Sequence, residues 1–378
     1  MPTTTLGQQV EHTHLAFTLA VQRALAGSAD TTSCWSPYSV ASALGLAATG
    51  ARGATRDELV TLLMGDSDAD LAAHGAMLLE GASIAENHPR NPPELDVANT
   101  MWHDRHVRIR PEFAHELAAW PNGATRDAPF GTDPDGARRM INADVAETTR
   151  GLIPGLLGPG SIKPDTGATL VNALYLKAAW NEKFPENATA PMPFHGPAHT
   201  SDVPAMRLRK RIAYAATGGW QIVTLPAAGD LHGIILLPDN DLAAAESTLD
   251  AGTLADLLGA PAPRLLDLHL PRFRARAKAK LGSALRGLGV RTMFSDDADF
   301  AGVSDTPLAV DSVEHEAVLT IDERGLEGAA ATAVTMRVLA MHRDLSQPIE
   351  VKVDRPFLFL VRHRLSGAVY FLARVVAP

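Results

Sequence analysis

The chain has 378 residues, 46% of them hydrophobic and 20% charged, too apolar for a disordered chain and too charged for one immersed in a membrane. Lysine and arginine number 34 against 43 acidic residues, a net charge of −9 that argues against a nucleic-acid partner, whose affinity is drawn from basic surface. A single cysteine, Cys34, excludes an internal disulfide and every multi-cysteine metal cage.

Taken in chain order, the opening MPTTTLGQQVEH has neither the basic nor the apolar region of a leader. No later run approaches the roughly 18–20 apolar residues that cross a bilayer. Phe17, Val21 and Leu25 recur at helical spacing and predict an amphipathic helix. Ser36-Pro37 places an N-cap oxygen before a proline at the first helical position, predicting a helix from about Tyr38 to Thr49 that stops at Gly50. Thr55-Arg56-Asp57-Glu58 has the form of a capping box and predicts a further helix to about Met64. Short β-branched or alternating runs then take over at 169–176, 221–225, 233–237, 266–273, 316–321, 349–353, 356–362 and 369–376. The last two are joined by a turn at Leu365-Ser366-Gly367. With helices first and most strands later, α+β is favoured over a parallel α/β fold. No repeat, low-complexity tract or linker divides the chain, so one domain over 1–378 is expected.

Motifs for catalysis are missing. His115-Glu116 and His315-Glu316 lack the second histidine of H-E-x-x-H, and there is no G-x-S-x-G elbow, P-loop or dinucleotide fingerprint. Gly158-Pro159-Gly160 begins like a phosphate loop without completing it. A Ser/His/Asp triad can be assembled from anywhere in a chain, but no motif here supports an enzyme. Asn187-Ala188-Thr189 is a formal glycosylation triplet of a kind that arises easily by chance. Arg272, Arg274, Arg276, Lys278 and Lys280 alternate, which on a strand puts all five on one face. A solvated strand face is the favoured reading over an anionic-polymer site.

The segment 322–348, DERGLEGAAATAVTMRVLAMHRDLSQP, connects two strand runs and far exceeds the usual connection of about 4–6 residues. As a helix it is apolar on nearly every face. As a strand it alternates: Leu326, Gly328, Ala330, Thr332, Val334, Met336 and Val338 share one uncharged face, while Glu327 and Arg337 fall on the other.

Ala317–Gly325, AVLTIDERG, followed by the small run Gly328–Ala331, resembles the hinge of a serpin reactive-centre loop. The resemblance extends over more than 300 residues of the sequence. Ser36-Pro37-Tyr38-Ser39 is similar to the family's SPxS segment. Asn172-Ala173-Leu174-Tyr175-Leu176-Lys177 with Trp180 and Phe184 is similar to its N-x-x-x-F-K-x-x-W-x-x-x-F strand. Leu270-Pro271-Arg272-Phe273, Leu285–Gly289, Phe294-Ser295 and Ala298–Val303 resemble its LPKF…LGxLG…FS…ADFSGI stretch, and Asp354–Pro378 its C-terminal hairpin.

The resemblance implies a single-domain α+β serpin fold with a large central sheet, two smaller sheets and an exposed reactive loop at about 323–348. It implies a serine protease inhibitor, not an enzyme, that is cleaved once and traps the acylated protease by inserting the loop as a new strand. By the family's spacing from Glu323, the reactive bond is Leu339–Ala340, which suits a chymotrypsin-, elastase- or subtilisin-like protease. The long stretch from Ala340 to Pro356 leaves Met341, Arg343 and Arg337 as alternatives. The hinge comprises Glu323, Gly325, Leu326, Glu327, Gly328, Ala329, Ala330, Ala331 and Thr332. Leu326 stands where the family has a small hydroxylated residue, and its bulk is expected to slow insertion. Ser36, Ser39, Asn172 and His315 match the polar cluster that latches the sheet. Trp180, Arg272 and Glu323 match the site where insertion starts, with an Arg272–Glu323 ion pair expected. No cofactor, metal, nucleic acid or membrane is implied, and a monomer is expected. The location is extracellular by resemblance, or cytoplasmic if the chain carries no leader. The alternative is a non-inhibitory serpin, a binding or chaperone-like module whose loop is cut without inserting. The bias toward alanine, arginine and aspartate over lysine suits a bacterial source.

Overall fold

The computed structural model describes residues 6–25, 30–84, 92–326 and 347–378. Four helices lead, α1 (Leu6–Leu25), α2 (Pro37–Gly50), α3 (Gly53–Met64) and α4 (Leu71–Ala82), with the short strand β1 (Ser33–Trp35) ahead of α2. There follow β2 (Glu94–Asp104), α5 (Pro111–Glu116), β3 (Gly123–Ala128), α6 (Pro134–Thr148) and β4 (Ala168–Ala179). β5 (Ala190–His195), β6 (Thr200–Thr217), β7 (Trp220–Ala227) and β8 (Leu231–Pro238) precede α7 (Leu242–Thr248) and α8 (Ala251–Gly259). Next come β9 (Ala262–Pro271), β10 (Phe273–Lys280), α9 (Gly282–Gly287), β11 (Val310–Ile321) and the two-residue β12 (Gly325–Leu326). The chain closes with β13 (Ile349–Lys352), β14 (Phe357–His363) and β15 (Val369–Val375).

The Ser36 hydroxyl caps α2 by accepting the Ser39 N–H at 3.1 Å. Nearly every residue of α2 is buried, so its amphipathic face is replaced by an all-round apolar surface. The expected capping box does not cap. α3 starts two residues before Thr55, after Arg52, without a side-chain cap. Thr55 Oγ1 instead accepts the Asp299 N–H at 2.9 Å, and Glu58 accepts the Arg291 and Thr292 N–H groups, each at 2.7 Å. Tertiary partners have taken both side chains, and the helix forms on its buried Leu59, Val60 and Leu63. The early chain is also less helical than its pattern: β2 and β3 lie within it.

Among the described residues the strands form two sheets. One runs β10-β11-β12-β4-β2-β3, and the other β1-β15-β14-β8-β7-β6-β9-β13 with β5 on β6. β6 pairs with β9 over Ala205–Tyr214 and with β7 over Ala213–Thr217, so this one long strand joins the two smaller sheets into a continuous path. The six-stranded sheet is covered on both faces. Leu170, Leu174 and Leu176 of β4 face the core around α2, while Val171 and Ala173 pack under Ile141 and Val145 of α6. That double burial explains why β4 is apolar on both parities.

Candidate functional site

β11 ends at Ile321, and the chain reverses through Asp322–Gly325. The Asp322 carboxylate accepts the N–H of Arg324 at 2.8 Å and of Gly325 at 3.2 Å, the local bonding that makes aspartate a turn residue. The turn drops Gly325 and Leu326 between β11 and β4. Leu326 pairs with Ile321 on one side and Ala178 on the other, and Gly325 with Ala179. A Cβ at Gly325 would lie 2.0 Å from the Ala178 carbonyl oxygen, so only glycine allows this approach. Leu326 is 0% exposed and belongs to the main core. Its bulk, expected to hinder entry, is accommodated at this position because the β4 residues it meets are alanines.

The turn is fastened to the segment after β4. The Trp180 N–H donates to the Arg324 carbonyl at 3.0 Å, its indole Nε1 to the Asp322 carbonyl at 2.9 Å, and the Phe184 N–H to the Glu323 carbonyl at 3.1 Å. Glu323 is buried, accepts Arg272 Nε at 2.7 Å, and also accepts the Thr189 hydroxyl. Burial alone would raise its carboxyl, but these hydrogen bonds outweigh it and hold the group below the usual carboxylate range. Arg324 reaches Glu186 at 3.0 Å in an exposed pair. Trp180, Arg272 and Glu323 are thus brought together. Asp322, Thr189 and Glu186 complete the cluster and are missed by the sequence reading. The Asp-x-x-Gly spacing of the turn is a legible signal for the first. Nothing local marks the other two.

Below the hinge the sheet is parted. β4 and β11 run parallel and pair from Val310–Ala168 to Glu314–Val171. Among the described residues no ladder joins them, and no strand separates them, from His315 and Asn172 up to the level of β12. His315 and Asn172 therefore stand where the two strands diverge. Both face the start of α2, which carries Ser36 as its N-cap and Ser39 in its first turn, and all four are buried. The Ser36 N–H donates to His315 Nε2 at 3.0 Å, which fixes the His315 proton on Nδ1. Burial pushes the His315 imidazole down to about 4. Among the described residues His315 Nδ1, Ser39 Oγ and both amide atoms of Asn172 have no hydrogen-bond partner. Only Ser36, Ser39 and His315 are linked to one another. Asn172 lies opposite Asn99 of β2 and is not bonded to the rest. Such a concentration of orphaned buried polar atoms calls for a physical reason.

The outer face of β10 and β11 carries the charged residues. Arg272, Arg274, Arg276, Lys278 and Lys280 are all exposed, although Arg272 falls at the break between β9 and β10 rather than within a strand. Arg276 Nε donates to Glu316 at 2.8 Å, Lys278 to the Gly155 carbonyl at 3.1 Å, and Lys280 lies 3.9 Å from Glu314. Glu314 is buried and among the described residues makes no hydrogen bond through Oε1, and desolvation raises its carboxyl despite Lys280 and Lys278. Cys34 is buried in apolar surroundings that push its thiol up, so it is unreactive. Among the described residues no helix is long and apolar enough to cross a membrane, and no three His, Cys, Asp or Glu side chains are grouped to hold a metal. Glu327, Gly328, Ala329, Ala330, Ala331, Thr332 and the bond Leu339–Ala340 lie outside the described residues.

Residues 12–378 match a family model described as Serpin (serine protease inhibitor). Serpin-Z2A of Oryza sativa subsp. japonica is 32% identical over 413 residues, covering 96% of this chain and 96% of its own. The leukocyte elastase inhibitor of Bos taurus is 33% identical over 356 residues, covering 91% of this chain and 92% of its own. Among solved structures, uncleaved ovalbumin matches with a TM-score of 0.86 at 26% identity, over 98% of this chain and 100% of its own.

Proposed function

Because the chain belongs to the serpin family, we propose that it inhibits a serine protease by acting once as a substrate, with Leu339–Ala340 as the reactive bond. The observation that carries this reading is the hinge. Gly325 and Leu326 are already paired into the mouth of a sheet that is parted beneath them.

The register of β12 gives the loop a path. Each further residue steps one place down both neighbours, so Thr332 would arrive between His315 and Asn172. Leu326 faces the core, and the residues of its parity, Gly328, Ala330, Thr332, Val334, Met336 and Val338, would face the core with it. That uncharged set suits burial, since an unpaired buried charge costs several kcal/mol. Thr332 would bring a hydroxyl, one donor and two acceptors, to the orphaned atoms of His315, Asn172 and Ser39. On this reading, the atoms that lack a partner among the described residues would find one in the inserted strand.

The distances and energies suffice. From Gly325 to Leu339 there are 15 residues, about 50 Å at about 3.3 Å each, close to the diameter of roughly 55 Å for a compact body of this length. A central strand of that length adds on the order of fifteen hydrogen bonds, each worth about 1 kcal/mol net, comparable to a whole domain's stability. A protease tethered to Leu339 would be carried across the molecule with its active site distorted. An apolar residue at the bond suits a chymotrypsin-, elastase- or subtilisin-like enzyme, and the inhibitor acts as a monomer.

The test is incubation with chymotrypsin, subtilisin and trypsin in turn, followed by a denaturing gel and intact mass of the released peptide. A denaturant-stable complex with a peptide beginning at Ala340 is the expected result. A complex releasing a peptide that begins after Met341 or Arg343 would move the bond. Cleavage with neither a complex nor a rise in melting temperature would leave a serpin whose loop does not insert, and the inhibitor reading would be wrong.

A further inference from the structure

Two backbone N–H groups at the closed end of the β14–β15 hairpin are held by imidazole lone pairs rather than by carbonyls. The Val369 N–H donates to His14 Nε2 at 3.1 Å, and the Ser366 N–H to His363 Nδ1 at 3.2 Å. A ring nitrogen that accepts from an amide carries no proton, so His14 is protonated on Nδ1. That Nδ1–H donates to His74 Nε2 at 3.3 Å, which leaves the His74 proton on Nδ1. Both basic nitrogens of the His14–His74 pair are therefore already occupied as acceptors. A proton added to either ring must remove a hydrogen bond. His363 is in the same position, since its Nδ1 also lies 2.9 Å from the Ser366 hydroxyl.

Five elements converge here. α1 brings Glu11 and His14, α4 brings His74 and Glu80, and β8 brings His232 behind Asp230. β14 brings Arg362 and His363, with Arg364 following. β15 brings Tyr370, whose ring packs at a tilt against Tyr38 of α2 and whose hydroxyl donates to the Gly81 carbonyl in the last turn of α4. Arg362 lies opposite His232 and binds Glu11, and among the described residues its buried Nε has no partner. Glu11 is engaged by Arg362 and Asp230 by Arg364, so two of the three carboxylates are already committed to an arginine. Burial lowers all four imidazoles, His74 and His232 to about 4, with Arg362 adding to the effect at His14, His232 and His363.

We infer that the closed end of this hairpin is an acid-released latch: proton uptake by His14, His74 and His363 frees the turn at 363–369 from α1 and α4. Above pH 6.5 the rings are neutral in both forms and the latch is closed. Below it the open form binds protons that the closed form cannot. At pH 5, a ring held at about 4 shifts the balance toward the open form by roughly 30-fold. This inference does not depend on protease inhibition.

The test is amide hydrogen exchange of the full chain from pH 7.5 to pH 4.5, corrected for the intrinsic pH dependence of exchange. Protection of peptides over 360–371 is expected to fall at least tenfold more than that of β2 and β4. In His14→Gln with His363→Asn, whose amide oxygens accept without titrating, His74 alone still titrates and that excess is expected to shrink at least threefold. Equal losses across all strands, or an undiminished excess in the double variant, would overturn the inference. Should the double variant not fold, deuterium exchange at the histidine ring C–H of the unaltered chain gives each pKa. Values at or above 6.5 for His14 and His363 would equally overturn it.

Discussion

Thr332→Val tests the inserted register more sharply than any change at the reactive bond, because valine keeps the shape and removes only the hydroxyl. Continued as proposed, the β12 pairing would bring residue 332 to the level of His315 and Asn172, where four buried polar atoms have no partner among the described residues. A hydroxyl can serve up to three of them, and each buried hydrogen bond is worth about 1 kcal/mol net. The cleaved, inserted form of Thr332→Val is therefore expected to be about 2–3 kcal/mol less stable than that of the parent chain. If the hydroxyl serves only the inserted strand, the uncleaved form should be unchanged within about 0.5 kcal/mol. Guanidinium unfolding of cleaved and uncleaved protein, for the parent, Thr332→Val and Thr332→Ser, measures both quantities. Thr332→Ser should restore most of the loss. A cleaved Thr332→Val as stable as the cleaved parent would refute the register, as would an equal loss in both forms.

Other predictions bear on the hinge and its surroundings. Leu326→Glu removes about 1.5–3 kcal/mol of burial and adds an unpaired buried charge, so the hinge should leave the sheet. Complex formation on a denaturing gel should then fall more than tenfold, with a change in Trp180 fluorescence, and a complex at parental yield would contradict the placement of Leu326. Glu323→Lys sets a cation against Arg272 and takes away the acceptor of the Thr189 hydroxyl. Inhibitory activity should decay several-fold faster on warming, and an unaltered half-life would count against the pair as a fastener. Glu314→Gln removes a carboxyl whose pKa is raised in the fold. A raised carboxyl destabilises the fold above its unfolded pKa near 4.5 and not below it. The variant should therefore melt a degree or more higher at pH 7 and match the parent near pH 4, and a lower melting temperature at pH 7 would show that Lys280 outweighs desolvation.

Signals carried by neighbouring residues are legible. Ser36-Pro37 caps α2 as its sequence indicates because N-cap and proline act within one turn. The strands at 169–176, 233–237 and 369–376 follow from β-branched runs that need only burial. The capping box at Thr55–Glu58 misleads because the same two side chains also suit Asp299, Arg291 and Thr292, which only the fold brings near. β6 escapes the pattern search because a strand can carry Arg207, Arg209 and Arg211 on one solvated face and still pair on both edges.

The sequence by itself determined family membership, the α+β class and the alternation of the segment after Gly325, since each is written in residue order or period. It also paired Arg272 with Glu323 as an expectation, through matching motifs. Only the tertiary structure decided that Leu326 lies between β4 and β11 with its side chain in the core. A period of two names two faces but not the inward one, which is set by register against strands distant in sequence. Thr189 on Glu323, and the histidines gathered around Arg362, are invisible in the chain for the same reason. The hydrogen bonds of Thr189 to Glu323, Val369 to His14 and Arg362 to Glu11 join segments more than a hundred residues apart, and no local preference encodes such a contact until packing has made it.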